Sequence, residues 1–416
     1  MKSKRPAIAL IGVLALAVPA AAAPARPAPP LPPPSGPVVN VSTESQLQAA
    51  VSSISSNTTI VLAPGTYRLT NPLYFNGTFT NVGIRGATGN ADDAVLAGPG
   101  MTNTSVSYGI WVGGNVQGMT IANLTIRDVY FHPIILNAGV QSPLIHNVHL
   151  VNAGEQFIKS NPNPAGGGVD NGVVEYSVIE YETTSRDAYT NGVDVHTGRN
   201  WIIRHNLFRN IRAPQGLLAG PAILMWNASS GTIAEGNTFI DCQREIAFGL
   251  IDRTPNDHTG GIVRNNFMYR NATIAGDAAI GVFDSPTTQV LHNTILASGT
   301  YPSPIEYRFV DTAGVVIANN LLDGAILARD GAQATVVGNV VTASAALFVN
   351  AFAGDLHLKP GASIAIDRAS VIAACPTDWD GDARPQGAAA DVGADEYRAG
   401  VPPSAPQKVR IVRNQP

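Results

Sequence analysis

The sequence predicts an all-β solenoid, a stack of similar coils rather than one globular core, on three observations. A short β-branched run, a polar residue and one or two apolar residues recur in that order: IANLTI (121–126), LIHNVHL (144–150), VVEYSVI (173–179), WIIRHNLF (201–208), GTIAEGNTF (231–239), GIVRNNFM (261–268), VLHNTIL (290–296), VIANNLL (316–322) and TVVGNVV (335–341). The marked residues are Asn123, Asn147, Ser177, Asn206, Asn237, Asn266, Asn293, Asn320 and Asn339, at spacings of 24, 30, 29, 31, 29, 27, 27 and 19. A period of that size is one coil of a stacked repeat, and it is too short for the roughly 40–45-residue blade of a propeller. Charged residues are only 13% of the chain, as suits long β structure with tight turns rich in Gly, Asn, Thr and Val.

Along the chain, Lys2, Lys4 and Arg5 precede an apolar run from Ala7 to Ala20 and then Ala21-Ala22-Ala23. Charged start, short apolar run and small-residue site predict a signal peptide over 1–23 and a secreted or periplasmic protein. Residues 24–37 are dominated by proline and predict an extended linker. In VSTESQLQAAV (41–51), Thr43 and Gln46 form a capping-box pair ahead of Leu47, Ala50 and Val51, which predicts a short helix. IVLAPGTYRL (60–69) reads as the first strands.

Within each coil the asparagine is expected at a sharp bend, because it tolerates the left-handed conformation. Stacked at about 4.8 Å, such amides form a ladder. Each coil offers another short strand ahead of its asparagine, among them HPIILNA (132–138), QFIKSN (156–161), NGVDVHTG (191–198), AILMWN (222–227), EIAFGLID (245–252), PIEYRFVD (304–311) and GAILARDG (324–331).

Over residues 40–345 these features resemble the right-handed parallel β-helix of the pectate-lyase-like superfamily. The β-helix domain is therefore set at 38–345. The segment 346–398 resembles the C-terminal cap of secreted bacterial β-helix proteins, and 399–416 is a Pro-containing basic tail. Within the cap, Asp378, Asp380 and Asp382 alternate like oxygen ligands of a calcium loop, the one ion the sequence suggests; salt-bridging of Arg384 is the plainer use of the same run. Helix and cap imply closed ends and a monomer.

Without its first three cations the chain carries 23 basic and 30 acidic residues, a net charge of −7, which argues against nucleic acid as a partner. No stretch beyond the signal peptide is long and apolar enough to span a membrane. Cys242 and Cys375 allow either one disulfide or two buried thiols.

Alternation on the strands sets the candidate site. With Val193 and Val195 inward, Asp194 and His196 point out; Ile158 inward leaves Lys159 out. The same count turns Glu245, Glu306, Arg308 and Arg329 outward. Lys159 is the one lysine outside the signal peptide, cap and tail, where Lys359 and Lys408 lie. The resemblance implies a groove for an acidic polysaccharide along this face and, most directly, β-elimination beside a uronate. Such a reaction needs a base for the C5 proton and a cation for the carboxylate. Lys159 or His196 would be the base, Asp194 would orient His196 or hold calcium, and Arg308, Arg199 or Arg244 would clamp the carboxylate. Trp226 and Trp111 would offer flat faces to sugar rings, and Glu245 with Glu306 would be the pair for a hydrolase. Inserts at 160–172, 181–192 and 252–261, carrying Arg186, Asp187, Tyr189 and His258, would wall the groove. The hydrolase signatures Asn-Thr-Asp and Gly-His-Gly are absent, the one Asp-Asp, Asp92-Asp93, precedes the coils, and Asp194-Val195-His196-Thr197 matches the epimerase Asp-Pro-His-Asp at two positions. Lyase, hydrolase or epimerase, and non-catalytic glycan binder all remain open on this reading.

Overall fold

The computed structural model of the protein describes residues 26–400. The signal peptide and residues 401–416 of the tail lie outside them. Parallel strands form one sheet of ten and one of twenty. The ten-stranded sheet runs from Leu73–Thr80 through Tyr108–Gln117, His132–Leu136, Ile158–Ser160, Val193–His196, Ile223–Trp226, Ile246–Phe248, Ile280–Phe283 and Ile305–Arg308 to Ile326–Arg329. The larger sheet folds along a line of bends, so that Leu144–Ala153 pairs with Val173–Glu175 before the bend and with Val178–Glu180 after it. Three faces thus enclose a continuous core.

Register fixes which side chains fill that core. Ile110, Ile134, Ile158, Val193, Ile223, Ile246, Ile280 and Ile305 occupy matching positions on successive strands and are fully buried. A one-residue slip would expose this column and bury the polar one beside it.

The marked asparagines form the expected ladder, but mostly not at the bend itself. From Asn206 through Asn237, Asn266, Asn293 and Asn320, each passes an amide hydrogen bond to the next at 2.8–3.0 Å, ending on Asn339. The left-handed residue stands one position earlier, at Tyr176, His205, Gly236, Asn265, His292, Asn319 and Gly338. Only Asn123 and Asn147 are left-handed themselves, and they form a separate two-rung pair at 2.8 Å. The bend before the ladder residue turns its amide inward, where it donates to a backbone carbonyl of the preceding coil, as Asn206 does to Val174 O at 2.9 Å. Ser177 begins the long ladder, its N–H donating to Asn206 Oδ1 at 3.0 Å.

The helix Glu44–Ser52 closes the N-terminal end with Leu47, Ala50 and Val51. Gln46 N–H donates to Thr43 Oγ1, while the Gln46 amide oxygen accepts from Ser42 rather than Thr43. Residues 26–37 are extended but do not stand free. Pro32 O accepts from Arg85, Pro29 O lies 3.0 Å from His146 Nε2, and Arg26 reaches His205 Nδ1 at 3.0 Å and the Trp379 and Asp380 carbonyls. The expected linker is a strap laid across the coils.

The C-terminal segment buttresses the flank of the solenoid instead of closing its end. Leu207, Ile240, Phe267, Tyr269 and Leu296 point outward from the larger sheet and share one apolar cluster with the segment's Leu356, Trp379 and Val392. Trp379 stacks on Phe267 at 4.9 Å. The last strands, Ile326–Arg329 and Ala334–Val337, leave Leu327, Val336 and Val337 exposed. The expectation of two closed ends is corrected here: the apolar flank, not the open coil, holds the segment. Cys242 and Cys375 are separate buried thiols.

Candidate active site on the ten-stranded sheet

Parallel pairing sets Lys159 beside Asp194, and His196 beside Trp226, on neighbouring strands of the outer face. The Lys159 ammonium donates to Asp194 Oδ2 at 2.5 Å and lies 2.8 Å from His196 Nε2. Trp226 Nε1 donates to Asp194 Oδ1 at 2.9 Å, and its ring lies 4.5 Å from the His196 ring. Asn227, which sequence reasoning missed, places its amide 3.3 Å from His196 Nδ1. Asp194 and Lys159 are buried, whereas His196 and Trp226 are partly exposed. Burial works against the Asp194 carboxylate, but His196 and the Lys159 charge outweigh it and hold its pKa below the usual range. The arrangement is an ionised carboxylate orienting one cation and one imidazole toward solvent.

A second buried group lies toward the N-terminal side. His132 Nδ1 lies 2.9 Å from Gln156 O, and burial lowers its pKa to about 4, so it is neutral. Arg186 pairs with Glu155 at 3.1 Å and lies over the Tyr130 ring. Arg186 and its neighbour Asp187 come from one of the predicted inserts; Tyr189 is exposed there. His258 is a correction: it is buried between Phe248, Thr232 and Ser285 and serves packing.

The other expected site residues do not converge on Lys159. Arg308 shares the face, but four strand steps separate it from His196, about 19 Å at the usual strand spacing. It is paired with Asp330. Arg329 pairs with Glu306 at 3.1 Å, Arg244 with Asp277 at 2.7 Å and Arg199, beyond the strand end, with Asp170 at 2.8 Å. The outward reading of Glu245 is wrong. It precedes its strand at a corner and is fully buried against Arg270 at 2.7 Å, with burial raising its pKa to about 7. Glu306 keeps the predicted direction but is buried beneath Tyr301 and Arg329. Neither carboxylate is presented to a substrate, which removes the expected hydrolase pair.

The expected calcium run does not converge either. Asp378 accepts from the Asp382 and Glu396 amides, Asp382 pairs with Arg398, and Asp380 meets His357. Arg384 pairs with Glu396 in the buried interior of the buttress. His357, Asp380 and Asp395 do gather within metal-binding distance. Burial alone would lower the His357 pKa, but hydrogen bonds to Asp355 and Asp380 overcome it and push it up to about 10. In this arrangement the imidazole is the cationic partner of Asp355 and Asp380.

No protein-family model and no curated protein matches the chain. Among solved structures it is similar to an alginate lyase from Paenibacillus sp. str. FPU-7, at 16% identity and TM-score 0.53, over 73% of this chain and 99% of that one. It is also similar to pectate lyase Pel9A, at 12% identity and TM-score 0.52, over 88% and 97%. The fold is thereby the right-handed parallel β-helix of pectate-lyase-like proteins, as the repeat implied.

Proposed function

We propose that this is a secreted polysaccharide lyase that cleaves a uronate-containing glycan by β-elimination at Lys159, Asp194 and His196. The reading rests on the position of the Lys159 ammonium, held between Asp194 Oδ2 and His196 Nε2 on a partly exposed sheet face. A uronate carboxylate drawn to this ammonium takes the place of His196 as its partner, which frees the imidazole. His196 then removes the C5 proton, and Lys159 stabilises charge building on the carboxylate. The C5–H electron pair becomes the C4–C5 double bond, the C4–O bond breaks and the departing oxygen takes up a proton. Asp194 acts through both partners by fixing their orientation. The likeness in fold to two polysaccharide lyases supports the reaction class.

The test is ultraviolet absorbance of unsaturated uronate during incubation with pectin, alginate and glycosaminoglycans. One of these glycans is expected to give a rising signal that Lys159→Ala abolishes and His196→Gln lowers by roughly a hundredfold or more. A signal unchanged in both variants, or none with any uronate glycan, sinks the reading.

A further inference from the structure

The outer face of the ten-stranded sheet is unusual in what it lacks. From Leu73–Thr80 to Ile280–Phe283 its eight strands contain one lysine, Lys159, and no arginine. The outward positions carry instead a series of aromatic rings. Tyr74 is half exposed and sits 5.7 Å from Trp111 on the next strand. Trp226 follows beside His196, and Phe283 stands two strands beyond Trp226.

Glycines make room for two of these rings. A Cβ built on Gly113 would lie 2.2 Å from the Trp111 ring, and one on Gly281 would lie 2.5 Å from the Phe283 ring. Each ring therefore lies down across a glycine and keeps part of its surface exposed. Such a face suits the apolar C–H side of a sugar ring and offers nothing to a carboxylate. Trp111 lies two strand steps from Lys159 and Phe283 four steps on the other side, about 10 and 19 Å at the usual spacing. The arginines that do face this sheet, Arg308 and Arg329, lie beyond Phe283 and are already paired.

A polymer with a carboxylate on every sugar would have to lay charges on these aromatic seats without a partner, which is costly. We propose that the lane takes a heteropolysaccharide in which a uronate is held at Lys159 and the sugars resting on Trp111, about two sugar lengths away, and on Phe283, about four away on the other side, are uncharged. This rests on Lys159–Asp194–His196 being the centre of the groove, and it narrows the substrate class.

The experiment is calorimetric binding of the mature chain to three defined polymers: a heteropolysaccharide with one uronate in each trisaccharide repeat, a homopolymeric uronate and a neutral glucan, with unsaturated product followed in parallel. The trisaccharide-repeat chain is expected to bind at least tenfold more tightly than either of the others. Trp111→Ala and Phe283→Ala should each weaken it roughly three- to tenfold. Gly113→Ala, which lifts the Trp111 ring without removing it, should weaken it in the same direction, and unchanged circular dichroism should show that each variant is folded. Equal or tighter binding of the homopolymer or the glucan overturns the proposal, as does full binding by Trp111→Ala. Tight binding of the trisaccharide-repeat chain without unsaturated product would defeat the elimination reading and leave this one standing. Cleavage of the homopolymer in preference would do the reverse.

Discussion

At the residue scale, the candidate site depends on how few partners each polar atom has. Asp194 receives Lys159 on one oxygen and Trp226 Nε1 on the other. Trp226→Phe keeps the ring against His196 but deprives a buried carboxylate of a donor. Loss of a hydrogen bond to a charged group is worth about 1.5–3 kcal/mol, so urea unfolding should show a loss of that size, with any glycan-directed activity reduced. A variant as stable as the parent would mean that solvent replaces the indole. Lys159, Asp194 and His196 were legible in the sequence because strict alternation on a strand fixes a side chain's direction. Glu245 was not, since it stands at a corner where alternation has ended. Its burial also depends on Arg270, a coil later in the chain. For Glu306 the direction was right and the accessibility was not, because Tyr301 covers it from a loop whose path no periodicity describes.

At the scale of the repeating element, the asparagine ladder shows how a turn signal can be correct in kind and displaced in position. The recurring residue suggested both a bend and a ladder, yet from Tyr176 onward the bend falls one residue earlier, on residue types as different as tyrosine, histidine and glycine. Conformation there is imposed by the stack, and the ladder amide rather than the bend residue is what recurs in the sequence. Asn266 donates to Ala234 O, Arg264 O and Asn293 Oδ1 and accepts from Asn237. Asn266→Ala should therefore strand several buried groups and cost on the order of 3 kcal/mol. Asn339→Ala, at the partly exposed last rung, should cost less than about 1 kcal/mol. Equal losses in chemical denaturation would show that the ladder does not act as a connected unit.

At the scale of the whole molecule, histidine protonation sets a pH dependence. His149, between Asp92 and Glu180, and His357, between Asp355 and Asp380, have pKa values pushed up to about 9 and about 10 by those carboxylates against the effect of burial. An unfolded histidine titrates near 6.5. Their contribution to stability is thus fully present below about pH 6.5 and is lost as pH rises through 9 and 10. Glu245 and Asp395, each raised to about 7 by burial, add a loss of the same sign on the way up to pH 7. On the acid side the effects oppose one another: His132, His205, His258 and His292 are held neutral by burial and lose stability below 6.5, while the raised carboxylates gain it. Thermal melts should therefore show a falling Tm between about pH 7 and 10, a limb that His357→Asn makes shallower. A flat profile over that range would contradict the clamped histidines. The solenoid itself was legible from a spacing of 19 to 31 residues. The lateral seat of the C-terminal segment was not, because nothing in a repeat reveals that its outward residues, such as Phe267, are apolar for a partner's sake.

The strap formed by residues 26–37 has a bearing on how the chain comes to be finished. Arg26 is among the earliest residues of the described chain to be synthesised, yet the Trp379 and Asp380 carbonyls it reaches are among the last. A growing chain can wind one coil upon another as it emerges, but this clasp has no counterpart to meet until the final segment arrives. Part of the strap can seat once the coils carrying Arg85, His146 and His205 have wound, and its remaining contact, Arg26 to the Trp379 and Asp380 carbonyls, closes only when the C-terminal segment has docked.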